Sequence, residues 1–274
     1  LVDTAVSSGY TRLRLAALSA LMRTRFGTFN EGIAPQSTRL AALAMSQTED
    51  RGVRLRVLKG LRGLLQDEPA VARIVPLIQD QDSDIRRAAL DALAVEASPG
   101  VLETLLHLAQ TSDNEDTAMA AINALGHRGS DPRVVSLYIK IVTQSKSEAL
   151  RAWTTGEMAI LAARGQLEES GLLSEAVSAL RMAAADSSER VRTDAACAMG
   201  DISDRDVLQP LVRLVQTDSS PVVRQTAIDS LPRLAKRLPE ATDEISGALQ
   251  QAARADPDPD AAKLAHDHLE SMKQ

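Results

Sequence analysis

Apolar and polar positions along this 274-residue chain recur as one short phrase. An aliphatic residue, often followed by Arg, leads to small or aliphatic residues four, seven and eight positions later. The clearest copies are Leu13-Arg14, Ala17, Ala20-Leu21; Val53-Arg54, Val57, Gly60-Leu61; Ile85-Arg86, Ala89, Ala92-Leu93; Val191-Arg192, Ala195, Ala198-Met199; and Val223-Arg224, Ala227, Ser230-Leu231. Looser copies start at Thr117 and Leu150, and a worn one at Ala261. At 100° per residue these positions form one helical stripe, and position +5 (Leu18, Leu58, Leu90, Ile122, Ala196, Ile228) widens it beyond the face of a surface helix. The starts lie 40, 32, 32, 33, 41, 32 and 38 residues apart. A period in this range predicts units that bury their apolar faces only against their neighbours. The expected fold is all-α, a right-handed α-solenoid of about eight stacked helical hairpins forming one domain over 1–274. Second helices start near 13, 53, 85, 117, 150, 191, 223 and 261, and 260–274 forms a C-terminal cap behind the stiff turn Asp256-Pro257-Asp258-Pro259-Asp260.

Turns rich in Asp and Ser precede the phrases: Asp80–Asp84, Thr111–Asn114, Asp186–Ser188 and Asp218–Pro221. Such residues cap a following helix and suit the positive end of its dipole. Upstream of each turn the pattern predicts a first helix, at Val71–Gln79, Val101–Ala109, Arg133–Val142 and Val207–Gln216. Pro76 and Pro210 fall inside two of these and are expected to bend them.

A proline-bearing first helix, an Asp-rich turn and a Val-Arg…Ala…Ala-Leu second helix resemble HEAT repeats of the short bacterial type. The match is clearest at 82–93, 186–200 and 218–231, and weakest at 26–50, 144–171 and 239–274. The resemblance implies a curved array whose second helices line the concave side, acting as a binding scaffold. A repeat motif identifies a fold far better than a function.

Composition agrees with thin aliphatic layers. Tyr10, Phe26, Phe29, Tyr138 and Trp153 are the only aromatic residues, too few for the deep core of a compact enzyme of this size. The single cysteine, Cys197, lies among alanines and reads as a buried filler. No apolar run reaches the ~20 residues that span a bilayer, and a signal-peptide pattern is absent, which makes a cytoplasmic location the expectation. The chain opens without Met inside a first helix, which points to a fragment or a processed product. Its net charge of −6 is divided unevenly, +5 over 1–73 and −11 over 74–274. Such asymmetry concerns partners rather than fold.

Two readings stand for the recurrent arginines Arg14, Arg54, Arg86, Arg151, Arg192 and Arg224. One is a phosphate site; the other, favoured because they flank the buried arc, is an Arg–Asp ladder from each repeat to the next turn. The exposed ridge of the second helices falls at +2, +3, +6 and +9. It gives Arg56, Lys59, Arg62 and Arg87 toward the front of the array, and Asp194, Gln225 and Asp229 toward its rear. Trp153 stands at +3 of the fifth repeat, either as an interface anchor or as a plug for the long spacing that follows. The segment 26–35, with Phe26 and Phe29, serves either as a cover for the apolar end or as a contact loop. His266 and His268 point about 200° apart on a helix, and no metal or nucleophile motif is present, so no metal, cofactor or catalytic residue is expected.

The expected function is a non-catalytic scaffold holding a protein or peptide of complementary charge gradient in the concave groove. Nucleic-acid binding through the basic N-terminal repeats is the alternative, opposed by a sequence pI near 5.3. A chromophore-lyase activity rests only on the likeness of bilin lyases to such repeats.

Overall fold

The computed structural model describes residues 1–23, 36–46, 49–62, 65, 68–94 and 99–272. Phe26, Phe29 and the rest of the expected 26–35 loop lie outside the described residues. Seventeen α-helices follow one another, with no strand, among the described residues. They are α1 (Val2–Ser7), α2 (Thr11–Arg23), α3 (Ser37–Met45), α4 (Arg51–Leu61), α5 (Glu68–Ile74), α6 (Ser83–Leu93), α7 (Pro99–Thr111) and α8 (Glu115–Leu125), then α9 (Pro132–Gln144), α10 (Glu148–Ala163), α11 (Gln166–Glu169), α12 (Leu173–Ala183), α13 (Glu189–Met199), α14 (Leu208–Thr217), α15 (Pro221–Arg237), α16 (Thr242–Ala255) and α17 (Pro259–Met272). Each predicted second helix is present, starting about one half-turn before its phrase.

Side-chain caps set many of the starts, three of them from the expected turns (Asp82, Asn114 and Ser220). Asp50, Asp82, Asn114, Ser147 and Ser220 occupy N-cap positions, and each accepts a hydrogen bond from a backbone N–H of the first turn. One such cap contributes about 1 kcal/mol. Ser188 holds the same place before α13 without a side-chain cap bond.

The helices group into two compact units, Leu1–His127 and Arg128–Gln274. In the first, hairpins α1–α2, α3–α4, α5–α6 and α7–α8 stack so that α2, α4, α6 and α8 pack in sequence. In the second, α9–α10, α12–α13, α14–α15 and α16–α17 repeat the plan, with α10, α13, α15 and α17 in one layer. Each unit is thus a short α-solenoid. The seam residues are the predicted ones: Val53, Val57, Leu58, Leu61, Ile85, Ala89, Leu90 and Leu93 in the first unit, and Val191, Ala195, Ala196, Met199, Val223, Ala227, Ile228 and Leu231 in the second, are all sealed from solvent. The extra turn α11 accounts for the long fifth spacing.

Two expectations need correction. Pro210 does not bend a helix from within. It is the third residue of α14, where a first-turn N–H has no intrahelical acceptor to lose. The internal proline is Pro232, which α15 tolerates while continuing to Arg237. Cys197 is half-buried, not sealed, because it sits at the edge where α15 crosses and Arg233 reaches its carbonyl at 3.0 Å. Burial raises its thiol pKa despite the nearby Arg233 guanidinium, which leaves it a poor nucleophile. Pro76 stands in the first turn of a 3-10 segment, Val75–Gln79, that follows α5.

Candidate functional site

The recurrent arginines are structural. Arg151 Nε and Nη2 grip the two carboxylate oxygens of Asp186 at 2.7 and 3.1 Å. Arg192 holds Asp218 at 2.7 and 3.0 Å, and Arg224 holds Asp256 at 2.9 Å through each nitrogen. In all three the remaining nitrogen, Nη1, donates to the backbone carbonyls six and five residues upstream. Arg54 pairs with Asp80, and Arg14 with Glu49 at 2.6 Å. Each Asp of a rung also shapes its own turn: Asp186, Asp218 and Asp256 accept the N–H two residues ahead at 2.8, 2.9 and 2.9 Å. The ladder therefore joins the first, second, fifth, sixth and seventh repeats to the turn that follows each, and its five arginines are occupied by carboxylates. Arg86 differs. Its Nη1 takes the same carbonyls, those of Asp80 and Gln81, but the next turn offers Ser112 in place of an Asp.

The ridge residues separate by unit. On α4, Arg56, Lys59 and Arg62 are exposed, and Arg87 is exposed on the adjoining α6. Arg56, Lys59 and Arg87 make no hydrogen bond or ion pair among the described residues. In the second unit the corresponding positions are engaged internally. Asp194 accepts from Arg190 Nε at 2.9 Å, Gln225 donates to Asp258 at 3.0 Å, and Asp229 meets His268 Nε2 at 2.7 Å. Trp153 lies on α10, 40% exposed, and Ile160, two turns further along the same face, is 42% exposed. The two form an apolar stripe on that helix.

One group escaped the sequence reading. Glu157 occupies position +7 of the fifth repeat, where six other repeats carry Ala, Gly or Ser and the worn last copy carries His268, and it is buried. Burial lifts its carboxyl to about 7, against the opposing pull of Arg164. Fully buried Tyr138 on α9 has its phenol pushed well above the ordinary value, by burial first and then by Glu157. Among the described residues no group of His, Cys, Asp and Glu is arranged to hold a metal ion, and no helix is long and apolar enough to cross a membrane.

Comparison with known proteins bears on the frame. A family model described as HEAT repeats matches residues 37–126, 75–159 and 135–232. No curated protein is similar in sequence. Among solved structures, a chain of the Kap95:Nup1 complex superposes with TM-score 0.66 at 12% identity, over 97% of this chain and 40% of that one. Importin beta crystallised in ammonium sulfate superposes with TM-score 0.64 at 16% identity, over 98% and 40%. An engineered protein gives 0.50 at 18% identity, over 100% and 78%. The chain spans about 40% of the length of the Kap95 and importin beta structures, and at these identities the likeness establishes the fold alone. With the family model covering most of its length, the chain belongs to the HEAT-repeat family.

Proposed function

We propose that the chain is a protein-interaction scaffold that receives an acidic segment of a partner on the ridge formed by α4 and α6. The observation that carries this reading is the contrast between two sets of cations. Five of the six repeat arginines are pinned by carboxylates, whereas Arg56, Lys59 and Arg87 are exposed and uncommitted among the described residues on neighbouring helices. Three solvated cations on packed helices raise association rates and select partners of opposite sign. Trp153, with Ile160, supplies in the second unit the kind of aromatic contact that dominates interface energies. Neighbours of the same fold, in the Kap95:Nup1 complex, bind protein, which supports the class of partner.

Affinity capture from source lysate with the wild-type chain, an Arg56→Glu/Lys59→Glu/Arg87→Glu triple variant and Trp153→Ala tests the reading. The triple variant is expected to lose the principal captured protein, and Trp153→Ala to lose it about tenfold, with helical circular dichroism unchanged; one buried aromatic contact of roughly 1–2 kcal/mol has that effect. Identical capture by all three chains contradicts the assignment. Nucleic acid is the competing polyanion for the same cations. Steeply salt-dependent binding of duplex DNA, abolished by the triple variant, would replace the protein reading.

A further inference from the structure

Arg86 is the one repeat arginine whose rung lacks its carboxylate. At four of the other rungs the acid stands six residues before the arginine position of the next repeat: Asp80 before Arg86, Asp186 before Arg192, Asp218 before Arg224, and Asp256 before Ala262; at the Arg14 rung it is Glu49, five residues before Arg54. In the fourth repeat that position is Ser112. Its hydroxyl keeps the local turn, accepting from Asn114 N–H at 3.3 Å and donating to Asn114 carbonyl at 3.1 Å, but it provides no charge to Arg86. Arg86 is nonetheless held in the orientation of its counterparts, with Nη1 donating to the carbonyls of Asp80 and Gln81 at 2.8 and 3.0 Å. Arg192 and Arg224 anchor on their carbonyls in the same way while Nε and Nη2 take the carboxylate. The Nε–Nη2 edge of Arg86 is therefore pre-set for a planar two-oxygen anion and has none among the described residues.

Space is present where the acid is missing. Beside the filled Arg224–Asp256 rung there is a cleft of about 60 Å³. At Arg86 the cavity is about 520 Å³, between the 3-10 segment after α5 and the C-terminal end of α7. His107, Thr111 and Ser112 line it along with Arg86 and Asp80. That volume falls within the range of small-molecule sites, roughly 300–1,000 Å³. Of the two aspartates at the wall, Asp80 is spent: one oxygen holds Arg54 and the other accepts Asp82 N–H at 3.0 Å. The equivalent position carries Gln81, Ser187, Ser219 or Pro257 at four rungs and Glu49, the partner of Arg14, at the first; Asp113 itself is exposed at the rim and has no partner among the described residues. Its charge opposes polyanions and leaves room for one carboxylate.

We infer that the Arg86 cavity is a binding site for a ligand monocarboxylate, which completes the vacant rung from outside the chain. The carboxylate takes the place of the missing Asp, its two oxygens on Nε and Nη2. This site uses none of the ridge residues, so it stands or falls apart from the scaffold reading. A free carboxylate and an aspartyl side chain present the same chemistry, and two probes distinguish them: N-acetylglycine and the blocked peptide acetyl-Gly-Asp-Gly-amide.

Calorimetric titration of the full chain with each probe, alongside Ser112→Asp, Arg86→Gln and Asp113→Asn, tests the site. Wild type is expected to bind at least one probe saturably, with about millimolar affinity for a single bidentate pair. Binding of the acetylglycine alone identifies a free carboxylate as the ligand, and binding of the peptide identifies an aspartyl side chain. Ser112→Asp restores the rung internally, so it should lose binding at least tenfold and raise Tm by roughly 2–4 °C. Arg86→Gln should also lose binding, and Asp113→Asn should tighten it. Failure of wild type to bind either probe, undiminished binding by Ser112→Asp, or an unchanged Tm in that variant overturns the inference.

Discussion

Arg192 and Asp218, 26 residues apart in sequence, face each other as a bidentate ion pair of 2.7 and 3.0 Å, with side-chain exposures of 14% and 5%. The same Asp218 orders its own turn through Ser220 N–H, and its backbone carbonyl receives Arg224 Nη1 at 2.9 Å. Arg224 in turn holds Asp256. Charge, turn and helix start are thus linked from repeat to repeat. A buried pair of this kind contributes to uniqueness as much as to stability, since its removal leaves one charge stranded in the seam.

Acid should loosen the array. Arg151 holds Asp186 below the ordinary carboxylate range despite its burial, and burial raises Asp218 less than Arg192 and the Ser220 N–H lower it. Asp82, half-buried beside Arg51, is lowered as well. A carboxyl whose folded pKa lies below its unfolded value contributes stability above the unfolded pKa and loses it as pH falls through the folded one. Thermal melts are expected to be flat near neutrality on this account and to fall by more than about 10 °C between pH 5 and pH 2.5. A Tm that holds at pH 2.5 would show that the rungs carry no linkage.

Glu157 acts in the opposite direction. Its folded pKa, about 7, is above the value of an unfolded glutamate. The protonated form is favoured by folding, so its contribution is full below about pH 4.5 and is lost as pH rises through 7. Glu157→Gln should raise stability at pH 8 by about 2 kcal/mol, after allowance for solvent screening, with little change at pH 5. Urea unfolding at the two pH values measures it. Equal midpoints for variant and wild type at pH 8 would show that the carboxylate is solvated.

Gly200, at the end of α13, is needed for close approach and not for an unusual backbone, since its φ is −65°. A Cβ there would meet Ser230 Cβ at 2.8 Å, Arg233 Nη2 at 2.9 Å and the Ser230 backbone at 3.0 Å. Gly200→Ala is expected to destabilise the second unit by about 1–3 kcal/mol, the usual effect of overpacking a tight contact. Hydrogen exchange should show the loss at α13 and α15. Unchanged exchange in both helices would mean that the seam has slack.

Most of the frame was legible in the sequence because local rules set it. Val53-Arg54 or Val223-Arg224 announces a buried stripe beside a flanking cation, and the Asp or Ser before it announces the helix start. The ladder was readable for the same reason, since the arginine and the acid each recur at fixed offsets. Partnerships that cross repeats at irregular spacing were not. Nothing local predicts that Gln225 donates to Asp258, or that Asp229 meets His268, 39 residues away. Yet two departures were visible in and before the phrase: Glu157 where six other repeats have a small residue, and Ser112 where Asp80, Asp186, Asp218 and Asp256 stand at four rungs. Each breaks a repeated local rule, and each marks a place where packing or charge is unlike the rest. Pro210 was misread because sequence alone did not place the start of α14.

The division of the arginines into pinned and free sets is tested most directly by a double-mutant cycle on Arg192→Gln and Asp218→Asn, read by equilibrium urea unfolding. Either single change is expected to cost about 2–4 kcal/mol, and the pair to cost less than their sum by about 1–3 kcal/mol, because the second change removes the stranded charge. Strict additivity would contradict the account: it would mean that the two side chains lie together without holding the repeats, and that Arg192 is free for a ligand after all.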